Sequence, residues 1–163
     1  MTQSETLANT FQSVRGLTKF YFSQFPDDKL HDVPEINGVK FNTAYWLAAH
    51  LVWTEHFLIL QGVADKNLDI SWLDEFKISS TPDRKDSWPS YKEIMETMDK
   101  VHEEAMKAIK VLTDEQLEEE NYLGYTFGGV NSKKAMIVHS IRHEPMHVGQ
   151  LSWLLKLNKV EMP

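Results

Sequence analysis

The sequence predicts an all-α fold, a four-helix bundle, on three observations. Four long stretches carry apolar residues at spacings of three and four, the helical period. Turn-forming residues cluster between those stretches. Period-two alternation is weak everywhere, and the glycine-rich run Tyr122 to Val130 is the only candidate strand. With 163 residues, 42% hydrophobic and 25% charged, the chain reads as a single domain over residues 1–163 with a sizeable core.

In the first helix, about Glu5 to Phe25, the stripe is Leu7, Phe11, Val14, Leu17, Tyr21 and Phe25. Ser4 is a candidate cap and Pro26 a stop. Pro34, Asn37 and Gly38 mark a connection. Asn42 can then cap a second helix, because its side chain can accept from first-turn N–H groups. That helix, Thr43 to Gln61, is apolar on most sides and so buried on most sides, with Gly62 suited to the left-handed position after its end.

Val63 to Pro89 is the least regular stretch. Trp72, Leu73, Phe76 and Ile78 are expected to form a short helix or lie over the core, and Ser79, Ser80, Thr81, Pro82 and Asp83 to form a loop. Loops of this length often cover sites. Ser90 to Glu93 is a capping box for the third helix, which runs to about Leu112 on Ile94, Met98, Val101, Ala105 and Ala108. Thr113 to Gln116 repeats the box, and Asn131 or Ser132 can cap the fourth helix, about Lys133 to Leu157. Trp46, Trp53, Trp153 and Met146 are expected inside, whereas Trp72 and Trp88 can line a pocket.

The formal net charge of −7 argues against nucleic acid and anionic membranes as partners. No stretch approaches the roughly 20 apolar residues that span a bilayer. The polar start Met1 to Ala8 does not read as a secretory leader, so a cytoplasmic protein is expected. Without cysteine, any metal site must use His, Asp or Glu, and any thiol must come from outside.

Seven histidines offer that chemistry. His139, His143 and His147 recur every four residues on one face of the fourth helix, and an i, i+4 pair of imidazoles can ligate one ion. A third ligand must come from another element. His50, amid Ala48, Ala49, Leu51 and Val52, is the natural candidate, because a buried imidazole without a partner is costly. Facing helices of a bundle would bring it to the pair and leave open positions for water or substrate. The plain alternative is that these are satisfied core histidines. Glu55 and His56 read as surface or interface residues.

His143-Glu144-Pro145-Met146-His147 also fits the H-E-x-x-H hydrolase pattern with Glu144 as general base. Pro145 counts against it. Proline removes its own N–H and clashes with the carbonyl of Ile141, so a kink or π-bulge is expected there.

Two segments together resemble a known family. Arg142 to Leu151, with its H-x-x-x-H-x-G-Q-L pattern, is similar to the closing helix of the DinB-like (DinB/YfiT) superfamily. Asn42 to Glu55 resembles that family's second helix, where one histidine supplies the third ligand. The order of elements fits along nearly the whole chain. The resemblance implies a four-helix bundle with a long crossover connection and one divalent ion, zinc, nickel or iron, held by His50, His143 and His147. It also implies a homodimer, and a chemistry in which the metal activates a low-molecular-weight thiol or a water. His139 is extra, and can be a fourth ligand, a base behind the ligands or a surface residue. Gln150 can hold a ligand's second nitrogen or a substrate, or be a packed amide.

The expectation is therefore a metal-dependent thiol S-transferase or hydrolase acting on a small molecule. Its alternatives are a non-catalytic metal-binding or stress-related interaction bundle and, third, the H-E-x-x-H hydrolase.

Overall fold

The computed structural model describes residues 1–81 and 83–161; Pro82, placed in a loop by the sequence, lies outside the described residues. Helix α1 is Gln3–Ser23. It starts two residues earlier than expected because Thr2, not Ser4, forms a capping box with Glu5. Its buried face is Ser4, Ala8, Phe11, Arg15, Thr18 and Phe22. The apolar stripe read from sequence is thus rotated, and Leu17 is exposed. The rotation exists because Arg15 belongs on the inner face, as its partners below explain.

Two short strands, β1 (Glu35–Ile36) and β2 (Val39–Lys40), pair antiparallel across Asn37 and Gly38. Both turn residues have positive φ, as a two-residue hairpin turn requires. The expected strand at Tyr122–Val130 is instead a loop with one isolated bridge, Phe127 to Val130.

Helix α2 (Ala44–Glu55) is capped by Thr43, whose side chain accepts from the Trp46 N–H. It runs without a break into a π-helical segment, His56–Gln61, and the short α3 (Gly62–Ala64). Gly62 is therefore not a terminator; Asp65 takes the left-handed position, with φ 49°. A Cβ at Gly62 would meet the end of the flexible Met136 side chain, which would have to move. Helices α4 (Tyr91–Lys110), α5 (Asp114–Glu118) and α6 (Lys133–Leu157) complete the chain. The helix passes Pro145 without the expected π-bulge; the π-segment lies after α2 instead.

Helix α1 packs on α6 and α4, and α2 packs on α4 and α6, so α2 and α6 are neighbours. Among the described residues, no helix is long and apolar enough to cross a membrane.

One buried charged cluster joins all four long helices. Arg15 of α1 donates through Nη2 to Oε2 of Glu55 in α2 and to Oε2 of Glu144 in α6, both at 2.8 Å. His102 of α4 meets the other oxygen of Glu55 through Nδ1 at 2.7 Å. Arg15 and Glu55 are each 1% exposed and Glu144 2%. Charges this deep survive only when paired. Glu55 is thus a core residue, not the surface residue its sequence position suggested, and His56 is buried as well, accepting from the Leu68 N–H at 2.9 Å.

Candidate metal centre

His50 sits near the middle of α2, stacked between Trp46 (ring centroids 4.6 Å apart, 12° between planes) and Trp53 (5.7 Å, 21°). Its Nδ1 lies 2.7 Å from the carbonyl oxygen of Phe76. A carbonyl can only accept, so Nδ1 carries the proton and Nε2 keeps its lone pair. The acceptor is supplied by the 65–90 connection, where a 3₁₀ turn, Leu73–Phe76, seats Phe76 against α2. Trp72 and Trp88 pack on the Phe76 ring, at 5.8 and 4.6 Å. They buttress this turn rather than line a pocket.

His143 and His147 are one turn apart on α6, with Nε2 atoms 3.3 Å apart. His147 Nδ1 meets Oε1 of Gln150 at 2.9 Å, so its proton is on Nδ1 and its Nε2 lone pair faces His143. Gln150 thereby takes the orienting role that the sequence left as one of its options. His143 Nδ1 is buried without a hydrogen-bond partner. His50, His143 and His147 each offer a ring nitrogen within 4.8 Å of the others, and together they could hold a metal ion.

The donor set fits such an ion in geometry and charge. The 3.3 Å separation of the two Nε2 atoms is short enough for both rings to ligate one ion at bond lengths of roughly 2.0–2.1 Å. Burial holds the His50 imidazolium down to about 4 and, helped by the neighbouring rings, that of His143 to about 3. Burial also lowers His147. All three rings are then neutral at pH 7, the form that binds metal.

A cavity of about 810 Å³ opens beside His143 and Thr54. Its walls come from the π-segment, the 65–90 connection, the Tyr122–Val130 loop and α6, so part of the long irregular stretch lies over this cavity. His139 lines this chamber, stacked on Phe127 with centroids 4.0 Å apart, and stands outside the three-histidine cluster.

The H-E-x-x-H reading loses its base. Glu144 points into the ion cluster, where Arg15 holds its carboxylate, and is not among the residues gathered at the centre. Two residues expected in the core, Met146 and Trp153, face outward from α6; Trp153 is 70% exposed. The Phe76 carbonyl, Arg15, His102 and the chamber's Tyr125 and Phe127 were not singled out from sequence. For Arg15 a signal existed, because Ala8, Phe11, Arg15, Thr18 and Phe22 are also spaced by threes and fours. For the Phe76 carbonyl none did, since every residue has one.

No curated protein matches the chain. Among solved structures, a crystal structure of a conserved protein from Enterococcus faecalis superposes with a TM-score of 0.65, covering 96% of this chain and 97% of that one. At 14% identity the likeness speaks for the fold alone. The family model of the DinB superfamily matches residues 10–151, a span that holds all four long helices in part or whole and all three clustered histidines. The chain belongs to the DinB superfamily.

Proposed function

We propose that the chain is a metal-dependent enzyme of the thiol S-transferase or hydrolase type acting on a small molecule, with His50, His143 and His147 holding one zinc, nickel or iron ion. The observation that carries this reading is the pair of fixed tautomers. His50 spends its Nδ1 proton on Phe76 and His147 on Gln150, and both turn Nε2 toward one point beside an open chamber. When bound, the ion supplies Lewis acidity that lowers the pKa of a water to about 7 or deprotonates a thiol. Three neutral imidazoles leave the ion's charge uncompensated, which favours an anionic thiolate or hydroxide beside it. The Phe76 carbonyl and the Gln150 amide hold the rings in place.

Elemental analysis of tag-free protein, purified without added metal, tests the centre. The expected result is about one ion per chain, lost in His50→Ala while the helical circular dichroism persists. Absence of metal from the wild type, with none taken up on addition, would overturn the proposal. A bound metal that has no exchangeable water and leaves the absorbance of added thiols unchanged would favour the non-catalytic binding bundle.

We also propose that the protein works as a homodimer. Met146, Trp153 and Leu157 form an exposed apolar row along α6 at helical spacing, and with Ile36 and Phe41 of the hairpin region they line a groove of about 630 Å³. Lys40 is the one charged residue in it. An uncharged, helical, apolar row suits its own copy across a two-fold axis. Sedimentation at micromolar concentration is expected to give a dimer for the wild type and a monomer for Trp153→Glu. A monomeric wild type would refute this.

A further inference from the structure

A continuous series of seven rings runs along the chamber. It starts at Tyr125, whose ring centroid is 5.6 Å from that of Phe57, and continues to Trp53 at 5.0 Å and His50 at 5.7 Å. It crosses to α6 at His143, 5.9 Å from His50, and returns through His139 at 5.7 Å to Phe127 at 4.0 Å. All of these except His50 line the chamber. The two ends, Tyr125 and Phe127, are two residues apart in one loop, so the loop joins the ends of the series. Trp53, Phe57 and Gln61 reach the chamber at spacings of four, and the π-segment, with its wider turn, keeps them on one stripe. Within each arm the rings stack on one another: Trp53 and Phe57 lie 9° from parallel, and Phe127 and His139 18°.

The polarity of the interior is also fixed. His139 Nδ1 lies 3.1 Å from Nη2 of Arg142. A guanidinium can only donate, so Nδ1 accepts and Nε2 carries the proton. His139 is then an N–H donor on the chamber wall. The carboxylates that line the chamber, Asp69 and Asp74, are exposed and belong to the covering connection, not to the ring walls.

We infer that this chamber binds a flat aromatic anion, its ring system between the two aromatic arms and its carboxylate, phenolate or thiolate directed at the three histidines. Aromatic faces favour offset stacking with another planar π-system over contact with a puckered saturated ring. The volume of about 810 Å³ holds a bicyclic body with room to spare. A cationic ligand would carry its charge toward three imidazoles and their ion. The aromatic preference stands on the rings alone; only the placement of the anionic end rests on the proposed metal.

Isothermal titration calorimetry with 2-naphthoate and its saturated counterpart, decahydronaphthalene-2-carboxylate, tests the inference on zinc-loaded and metal-free protein. The two probes share a skeleton and a charge and differ in planarity and π-character. The zinc-loaded wild type is expected to prefer naphthoate by about tenfold, and the metal-free protein to keep that preference at lower affinity for both. Tyr125→Ala at the exposed loop and the milder Phe127→Leu are each expected to erase most of the preference, weakening naphthoate more than the saturated probe. Equal binding of the two probes, or a preference indifferent to both substitutions, would overturn the inference. A preserved preference in a protein that takes up no zinc would overturn the metal centre and leave the aromatic site standing.

Discussion

Arg15→Ala is expected to destabilise the folded protein by about 3–5 kcal/mol, more than any single surface change. The substitution removes the one cation that touches both Glu55 and Glu144 and leaves their carboxylates buried, each almost without access to water. Burying an unpaired charge is what makes breaking such a cluster costly. The pairing itself gains far less, because the attraction is offset by desolvation. Replacing the cluster as a unit therefore has the opposite sign. A triple variant with Arg15→Met, Glu55→Leu and Glu144→Leu is expected to be as stable as the wild type or up to about 4 kcal/mol more so. Urea denaturation at pH 7.5 reads both. A loss under about 1 kcal/mol for Arg15→Ala would show that water reaches the cluster.

Retaining so costly a feature makes sense in its position. Glu144 is the neighbour of His143 along α6, and Glu55 follows Thr54, whose hydroxyl lies over His50 in α2. Arg15 bonds to both helices and so ties α2 to α6 near the histidines. Glu144→Gln separates this role from catalysis. A general base would make the substitution abolish hydrolysis, whereas a cluster member loses one charge-assisted bond, an effect of about 1.5–3 kcal/mol on stability.

This cluster also shows where reading the sequence works and where it stops. Four amphipathic stretches and their caps made the all-α bundle legible, because period and capping are local properties of the chain. The caps at Ser90, Thr113 and Ser132 lie where the pattern put them. That His50 needs a partner and that the fourth helix offers a histidine pair was legible as well, whereas the choice of His143 and His147 over His139 came from the family resemblance. An isolated polar ring in the apolar run 44–52 needs a partner, and i, i+4 imidazoles provide one. The inner face of α1 was misjudged because hydrophobicity was the only guide to burial. Arg15 looks like a surface residue until two carboxylates from other helices are seen to meet it. Glu55 fails the same test for the same reason. The chamber was illegible for a different reason. Tyr125 and Phe127 come from an irregular loop, and nothing local says that the loop folds back to the stripe holding Trp53 and Phe57.

Acid is expected to unfold the metal-free protein early, and the histidines set the window. A base whose folded pKa is depressed binds fewer protons in the folded chain than in the unfolded one, between the two pKa values. Stability is then full above about 6.5, the ordinary histidine value, and is lost as pH falls toward the folded value. For His50, pushed down to about 4 by burial, the loss accumulates between about pH 6.5 and 4. At about 1.4 kcal/mol per unit it reaches about 3 kcal/mol. His143, pushed down to about 3, extends the loss further toward acid. Against a total stability of about 5–15 kcal/mol, this is a large fraction. Urea midpoints measured at pH 7.5, 6.0 and 5.0 are expected to fall steadily, and those of His50→Phe to fall less, since phenylalanine has no proton to take. Bound zinc should shift the whole loss to lower pH, because protons must then displace the ion before they reach the rings. A midpoint that stays level from pH 7.5 to 5.0 in metal-free protein would mean that the imidazoles titrate as if in water, and that the buried, neutral centre described here opens in solution.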